Sequence, residues 1–331
     1  MSQKHTVSIV TPAYNCATTI REVVSSVEAQ APHVLEHVIV NDGSSDETLA
    51  IIRELENQAG SIIRVIDQPN GGEANAVNRG IAESLGDYVM VVNADDPLLD
   101  DCVFHLREAL VHSPEAVVSY ADWKMIDSIG DTIKIIETLP FSVQALVGDW
   151  VCIVGPGSMI RRSAFGGAPA RDGRYKNIGD YEMWLRLATQ GPFIRVDKVL
   201  STWRNHATGA SWNDRGSVIS EQYERLIAEY FKRSDLSQEI RSYERRAHAH
   251  QNYYSGLQKL FDSKVSGRRM ILRSWLKAPL MRYENPSVKR SVLGSLAVLT
   301  FPFSLQFGYL CSKIGVTFPP LIEDAISKRY R

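Results

Sequence analysis

Cysteine is scarce in this chain of 331 residues, with four spread far apart at Cys16, Cys102, Cys152 and Cys311. There is no CxxC pair and no dense framework. That excludes a disulfide-stapled scaffold and a zinc ribbon, and it predicts small buried thiols in a reducing compartment. Phosphate-cradling glycine motifs are missing too. Neither G-x-x-x-x-G-K-[ST] nor a G-x-G-x-x-G after the first strand occurs, so P-loop and dinucleotide readings are excluded. Internal repeats and low-complexity segments are also lacking. Long apolar runs are lacking apart from the charge-free window between Arg290 and Lys313, which exceeds the roughly 20 residues a membrane helix needs. Gly294, Ser295, Pro302, Ser304, Gln306 and Gly308 dilute it. With Trp275 and basic neighbours it reads as lying in a membrane interface rather than spanning it. A packed helical region is the alternative. The opening MSQKHTVSIVTP runs almost directly into a strand pattern, leaving no room for a signal peptide, so a cytoplasmic location is expected.

What is present is ordinary globular material, 44% hydrophobic and 23% charged. The net charge of -1 conceals an asymmetry: residues 1–240 carry 21 Lys/Arg against 33 Asp/Glu, and residues 241–331 carry 16 against 5. A basic tail on an acidic body predicts contact with an anionic membrane surface, or else a solvated basic helical face. No nucleic-acid partner is expected.

The first hundred residues alternate strand and helix. Apolar, β-branched runs at Val7–Val10, Val38–Val40, Ile62–Ile66 and Tyr88–Val92 read as strands. Thr19 and Glu22 are spaced as a capping box before a face of Ile20, Val23, Val24 and Val27, and Ser44 and Glu47 are placed to open a second helix. A third fits Ala74 to Leu85, closed by Gly86. Such a pattern predicts a parallel sheet covered on both faces, with ligands beyond the carboxyl ends of the strands. Later come a helix near Asp101–His112, a strand at Ala116–Tyr120 and a helix from Asp180. Helical stripes follow after Gly216, one of them including Ile240, Ala247, His250 and Phe261.

Polar clusters fall at those strand ends. Asp42 follows the second strand, and Gly43 permits a tight turn beside it; a carboxylate there can accept hydrogen bonds from a base or ribose. Asn93, Asp95 and Asp96 follow the fourth, where carboxylates suit a hard divalent ion at a diphosphate. Turn formation or helix capping explains either cluster alone equally well.

Taken together and in order, five blocks resemble the family 2 glycosyltransferases of the GT-A fold. They are VSIVTPAYN, VIVNDGSSDET, NGGEANAVNRGIAESLGDYVMVVNADD, DYEMWLRLA and VLSTWRNH, within about residues 6–211. The resemblance implies an α/β fold: a catalytic domain over 1–212, with nucleotide-sugar binding over about 1–100, then a helical C-terminal region over 213–331. It implies that Pro12, Ala13 and Tyr14 border the nucleobase, that Asp42 bonds the base, and that Asn93 reaches the ribose. Asp95 would ligate Mn²⁺ or Mg²⁺ as the last acid of the D-x-D element, whose first acid is replaced by Asn93. Asp180 would be the catalytic base, although Gly179 stands where many relatives have an acid. Arg204 and His206 would reach back to the diphosphate or metal. Glu182 is expected to be a solvated charge, and Met183, Trp184 and Leu187 packing residues. Arg171, Arg174 and Lys176 lie in a loop where relatives show a hydrophobic Gly-Phe-Asp segment, and are expected either to meet an anionic acceptor or to be solvated. No role is assigned to Asn78. The implied activity is inverting transfer from a nucleoside diphosphate sugar, UDP-linked, to a glycan or lipid-linked acceptor. Two alternatives stand beside it: a silent sugar- or nucleotide-binding scaffold of the same fold, and a polyprenyl-phosphate sugar synthase.

Overall fold

The computed structural model describes residues 5–205, 216–260 and 262–277. Its sheet is built outward from strands whose apolar residues run on without alternation because both faces are covered. β1 (Val7–Ala13), β2 (Glu36–Asp42), β3 (Ile63–Gln68) and β4 (Tyr88–Val91) are parallel, in the order β3-β2-β1-β4. In register, Val10 lies opposite Val38 on one side and Val91 on the other. The crossovers are α1 (Ile20–Glu28), α2 (Thr48–Glu56) and α3 (Glu73–Glu83). α1 buries the expected face of Ile20, Val23, Val24 and Val27 completely. α3 comes so close to the sheet that a Cβ on Gly80 would stand 2.4 Å from Val10 Cγ1.

Beyond β4 the sheet becomes mixed. α4 (Cys102–His112) leads to β5 (Val118–Ile126), which forms an antiparallel hairpin with β6 (Thr132–Ile136). β7 (Met159–Arg161) inserts antiparallel between β4 and β5. After α5 (Gly179–Leu187), the long strand β8 (Phe193–Arg204) runs parallel to β5. β8 pins the loop after β4: Leu99 N–H donates to Leu200 O at 3.0 Å, and Thr202 Oγ1 donates to Pro97 O at 2.8 Å. The fold is the expected α/β one, with β6 and β7 added.

The chain divides into two units. One carries all eight strands with α1 to α5. The other comprises Gly148–Trp150 together with α6 (Ser217–Tyr230), α8 (Glu244–Lys259) and α9 (Lys264–Lys277); the short α7 (Gln238–Ser242) lies at the boundary. Within this helical unit Trp150 packs between the rings of Tyr223 and Tyr254. Gly256 and Gly267 bring α8 and α9 to backbone distance, since a Cβ on Gly267 would stand 2.7 Å from Gly256 O. Leu226, Ile227, Tyr230 and Phe231 of the first expected stripe are buried. The second stripe is broken, because α7 ends at Ser242 and α8 begins at Glu244. Among the described residues no helix is long and apolar enough to cross a membrane. The expected boundary at 212, His206, Phe261 and the charge-free window all lie outside the described residues, as does Cys311.

Both expected caps are corrected. Thr19 does precede α1, but its hydroxyl donates to Ala94 O at 2.7 Å instead of capping. Its partner in the pattern, Glu22, bonds Arg204. α2 starts at Thr48, whose N–H donates to Asp46 Oδ1 at 3.0 Å; neither Ser44 nor Glu47 caps it. Glu182 is likewise not solvated: it is 7% exposed and paired with Arg186 at 2.7 Å, one helical turn on.

Candidate active site

The carboxyl ends of β1, β2 and β4 carry the first group of expected residues. Pro12 is half-buried and Ala13 is 1% exposed, packed with Ile20, Val24 and Ile39. Tyr14, just past the strand, is 54% exposed. Its loop is tied to the one after β2, because Asn15 Oδ1 accepts Ser45 N–H at 2.8 Å and Ser44 Oγ accepts Asn15 N–H at 3.1 Å. The ring is thus presented on a fixed turn with its face open.

Asp42 ends β2 and is 3% exposed. Its Oδ1 accepts from Gln68 Nε2 at 2.7 Å and Gly71 N–H at 2.8 Å, and its Oδ2 accepts from Gly72 N–H at 2.8 Å. A carboxylate has about four acceptor directions, so one on Oδ2 remains for a ligand N–H. Gly72, at φ 84, starts α3 in a conformation that disfavours a side chain. Asp42 therefore organises the 68–72 loop as well as facing the strand ends.

At the end of β4, Asn93 Nδ2 donates to Asp96 Oδ2 at 2.9 Å, and Arg204 N–H donates to Asp96 Oδ1 at 2.7 Å. Asp96 is buried, and burial, followed by the charge of Asp95, pushes its carboxyl up to about 7. Arg204 is 5% exposed with its guanidinium fully engaged: Nε reaches Asp95 O at 2.9 Å, Nη1 the carbonyls of Asp127 and Ser128, and Nη2 Glu22 at 2.6 Å. Expected as a donor contact, it is built in as a tie that fixes the Asn93–Asp96 turn. Asp95 itself is half-buried.

Asp180 stands in the first turn of α5, where the helix dipole favours a negative charge, and its side chain is 53% exposed. Arg171 Nη1 lies 4.0 Å from Asp180 Oδ1. The main chain of Arg171 is clamped by Asn78 of α3, which accepts its N–H and donates to its C=O, each at 2.8 Å. Glu73, the first residue of α3, completes the group. Its carboxyl is raised above the ordinary range by burial; Arg171 opposes the shift, and Asp180 and Asp95 add to it. Cys152 feels the same pair: burial and then Asp180 push its thiol up to about 12. Glu73 and Cys152 are both exposed. The charges of Asp95, Asp180 and Arg171 all act on Glu73, and those of Asp180 and Arg171 on Cys152. Glu73 and Cys152 were not expected from the sequence, and Cys152 is not the buried thiol predicted.

Residues 8–166 match the model of glycosyl transferase family 2. That segment belongs to glycosyl transferase family 2. The chondroitin synthase of Pasteurella multocida is 33% identical to this chain over 195 residues, covering 58% of this chain and 20% of that one. A poly-beta-1,6-N-acetyl-D-glucosamine synthase of Staphylococcus aureus is 27% identical over 234 residues, 68% of this chain and 56% of that one. The chain thus spans from a fifth to about half the length of these relatives. Among solved structures, S. aureus TarS 1–349 in complex with UDP-GlcNAc superposes with a TM-score of 0.64 at 14% identity, covering 88% of each chain. The mannosyltransferase PcManGT from Pyrobaculum calidifontis, in complex with GDP-Man and Mn²⁺, gives 0.59 at 12% identity, covering 92% and 83%. Around this family 2 domain the fold is that of a GT-A glycosyltransferase, as the sequence implied.

Proposed function

We propose that the protein is an inverting glycosyltransferase. It moves a sugar from a nucleoside diphosphate donor, UDP-linked, to a hydroxyl of a glycan or lipid-linked acceptor in polysaccharide or glycolipid assembly. The observation that carries this reading is the family 2 match over residues 8–166, with Asp95 at the end of β4 and Asp180 in the first turn of α5 both acting on the charge of Glu73. The names of the relatives, a chondroitin synthase and a poly-beta-1,6-N-acetyl-D-glucosamine synthase, support it, as does the UDP-GlcNAc held by TarS.

In this reading the base packs near Tyr14, and an N–H of the base meets the remaining acceptor direction of Asp42. Asp180 takes the proton of the acceptor hydroxyl as that oxygen bonds the anomeric carbon from the face opposite the diphosphate. The bond from the anomeric carbon to the diphosphate oxygen breaks with its electron pair, leaving the nucleoside diphosphate and an inverted linkage. Asp96, Asn93 and Arg204 hold the turn that aims Asp95, so the geometry exists before substrate arrives. A divalent ion, when bound, would neutralise the leaving diphosphate. Among the described residues no three His, Cys, Asp or Glu side chains stand together as a metal cage. Asp95 fits an ion held by one carboxylate and the donor's own phosphates, the usual habit of Mg²⁺. His206 is the second proposed ligand.

The test is consumption of UDP-sugars by purified protein, with and without Mn²⁺. Turnover is expected, and Asp95→Ala should remove most of the metal-dependent part. No turnover and no UDP binding would favour a silent scaffold that does not take this donor. We further propose a peripheral, cytoplasmic-face location, supported by the excess of 16 basic over 5 acidic residues in 241–331. Each such charge near an anionic surface contributes about 1 kcal/mol. Salt-sensitive pelleting with anionic but not neutral vesicles is the expected result, and equal pelleting with both would overturn it.

A further inference from the structure

Among the described residues, the Arg171 side chain has no hydrogen-bond acceptor. Its side chain is only 13% exposed, and its Nε–H is buried with no hydrogen-bond partner. The nearest carboxylate oxygen, on Asp180, stands at 4.0 Å, too far for a hydrogen bond. A buried N–H left in this state is costly, and polar groups in such a position ordinarily meet a ligand or water. The side chain is not there by accident of a loose loop, because Asn78 holds the main chain of residue 171 through two bonds at 2.8 Å.

The position of the guanidinium tells which ligand it suits. The side chain runs past Gly179, where an added Cβ would lie 3.8 Å from Arg171 Cδ, and ends beside Asp180. In the proposed reading Asp180 is the residue that meets the attacking acceptor hydroxyl. The surrounding charges are unfavourable for any acidic molecule, since Asp180 and Asp95 both add negative charge around Glu73. Arg171 is the cation that Glu73 feels among them.

We propose that Arg171 anchors a carboxylate or phosphate of the acceptor, within about one sugar unit of the hydroxyl that Asp180 deprotonates, so that the enzyme selects acidic acceptors. This rests on the glycosyltransferase reading above. The planar fork of arginine suits both oxyanions, and a charge-assisted pair in a partly enclosed site changes affinity by about tenfold or more. Gly179 is part of the device: an acid there would face Arg171 and satisfy it internally.

Calorimetry with UDP, and then with methyl glucuronide, glucose 6-phosphate and methyl glucoside in the presence of UDP, tests the proposal on the full chain. The acidic sugars should bind about tenfold or more tightly than the neutral one, and whichever of the two is preferred identifies the oxyanion. Arg171→Gln should abolish the preference while leaving UDP affinity unchanged, and Arg171→Lys should keep part of it. Gly179→Glu should abolish it as well, without loss of folding, because an acid suits a helix first turn. Equal or absent binding of all three sugars by a protein that binds UDP overturns the proposal. So does a preference that survives in both the Gln and the Glu variants. A parallel fall in UDP affinity assigns Arg171 to the donor diphosphate and overturns it too. Failure to bind UDP at all counts against the underlying reading instead.

Discussion

On the β1–β4 side of the sheet, Asp42 and Asp96 accept hydrogen bonds that hold the protein's own loops in place. On the β5–β8 side, Asp180 is half exposed, and among the described residues Arg171 has no acceptor within hydrogen-bonding distance. Both sides descend from one sheet, but one is internally satisfied and the other leaves polar groups open. A shared nucleotide can be met by a rigid, preorganised surface, whereas groups that meet a variable acceptor gain nothing from internal partners. In the proposed reading, the contrast separates residues that shape the site from those that act in it.

The sharpest way to break the comparison is Asp180→Asn. It should lower turnover by at least about 10²-fold, the usual size of a general-base contribution, with UDP affinity unchanged in calorimetry. Activity within a few-fold of wild type would remove Asp180 from the mechanism. On the other side Asp42→Ala should act on binding and loop together: about tenfold or more in UDP affinity, and about 1–3 kcal/mol in unfolding free energy as three donors lose their acceptor. A variant that loses affinity but no stability would show that the 68–72 loop does not depend on this carboxylate. The smallest effect concerns pH. The Asp96 carboxyl titrates near 7 in the fold against 3.8 for its ordinary value. Between those values the folded protein holds a proton that the unfolded chain has released, so this group's stabilisation fades as pH rises. Relative to Asp96→Asn, the wild type should therefore lose about a few degrees of melting temperature from pH 4 to pH 8. An unchanged difference across that range would show that Asp96 is ionised throughout.

The sequence disclosed most about what is buried on both faces. Val38-Ile39-Val40 can be little other than an interior parallel strand, and its end dictates where Asp42 stands. β6 escaped because, with Thr132 to Ile135 exposed, an edge strand has no core pattern to show. β7 has only three residues, too few for any period. Thr19 and Glu22 matched a capping pattern, but tertiary partners won: Ala94 O took the hydroxyl, and Arg204 took the carboxylate. Arg204 was legible as a conspicuous charge at the end of β8, but its four sets of partners come from distant segments. Glu73 and Asn78 gave the least signal, since each becomes relevant only once α3 is placed against the loop carrying Arg171.

The grip of Asn78 on residue 171 has a bearing on how such proteins diversify. Asn78 hydrogen-bonds the peptide N–H and C=O, which every residue except proline supplies. The loop is thus fastened through a feature indifferent to the side chain, as a socket holds interchangeable bits. An arginine, a phenylalanine or a glutamine can occupy position 171 while the path of the chain persists. Acceptor preference can then drift by single substitutions that leave folding and donor handling intact, and a saturation library at this one codon is the most economical route to new acceptors.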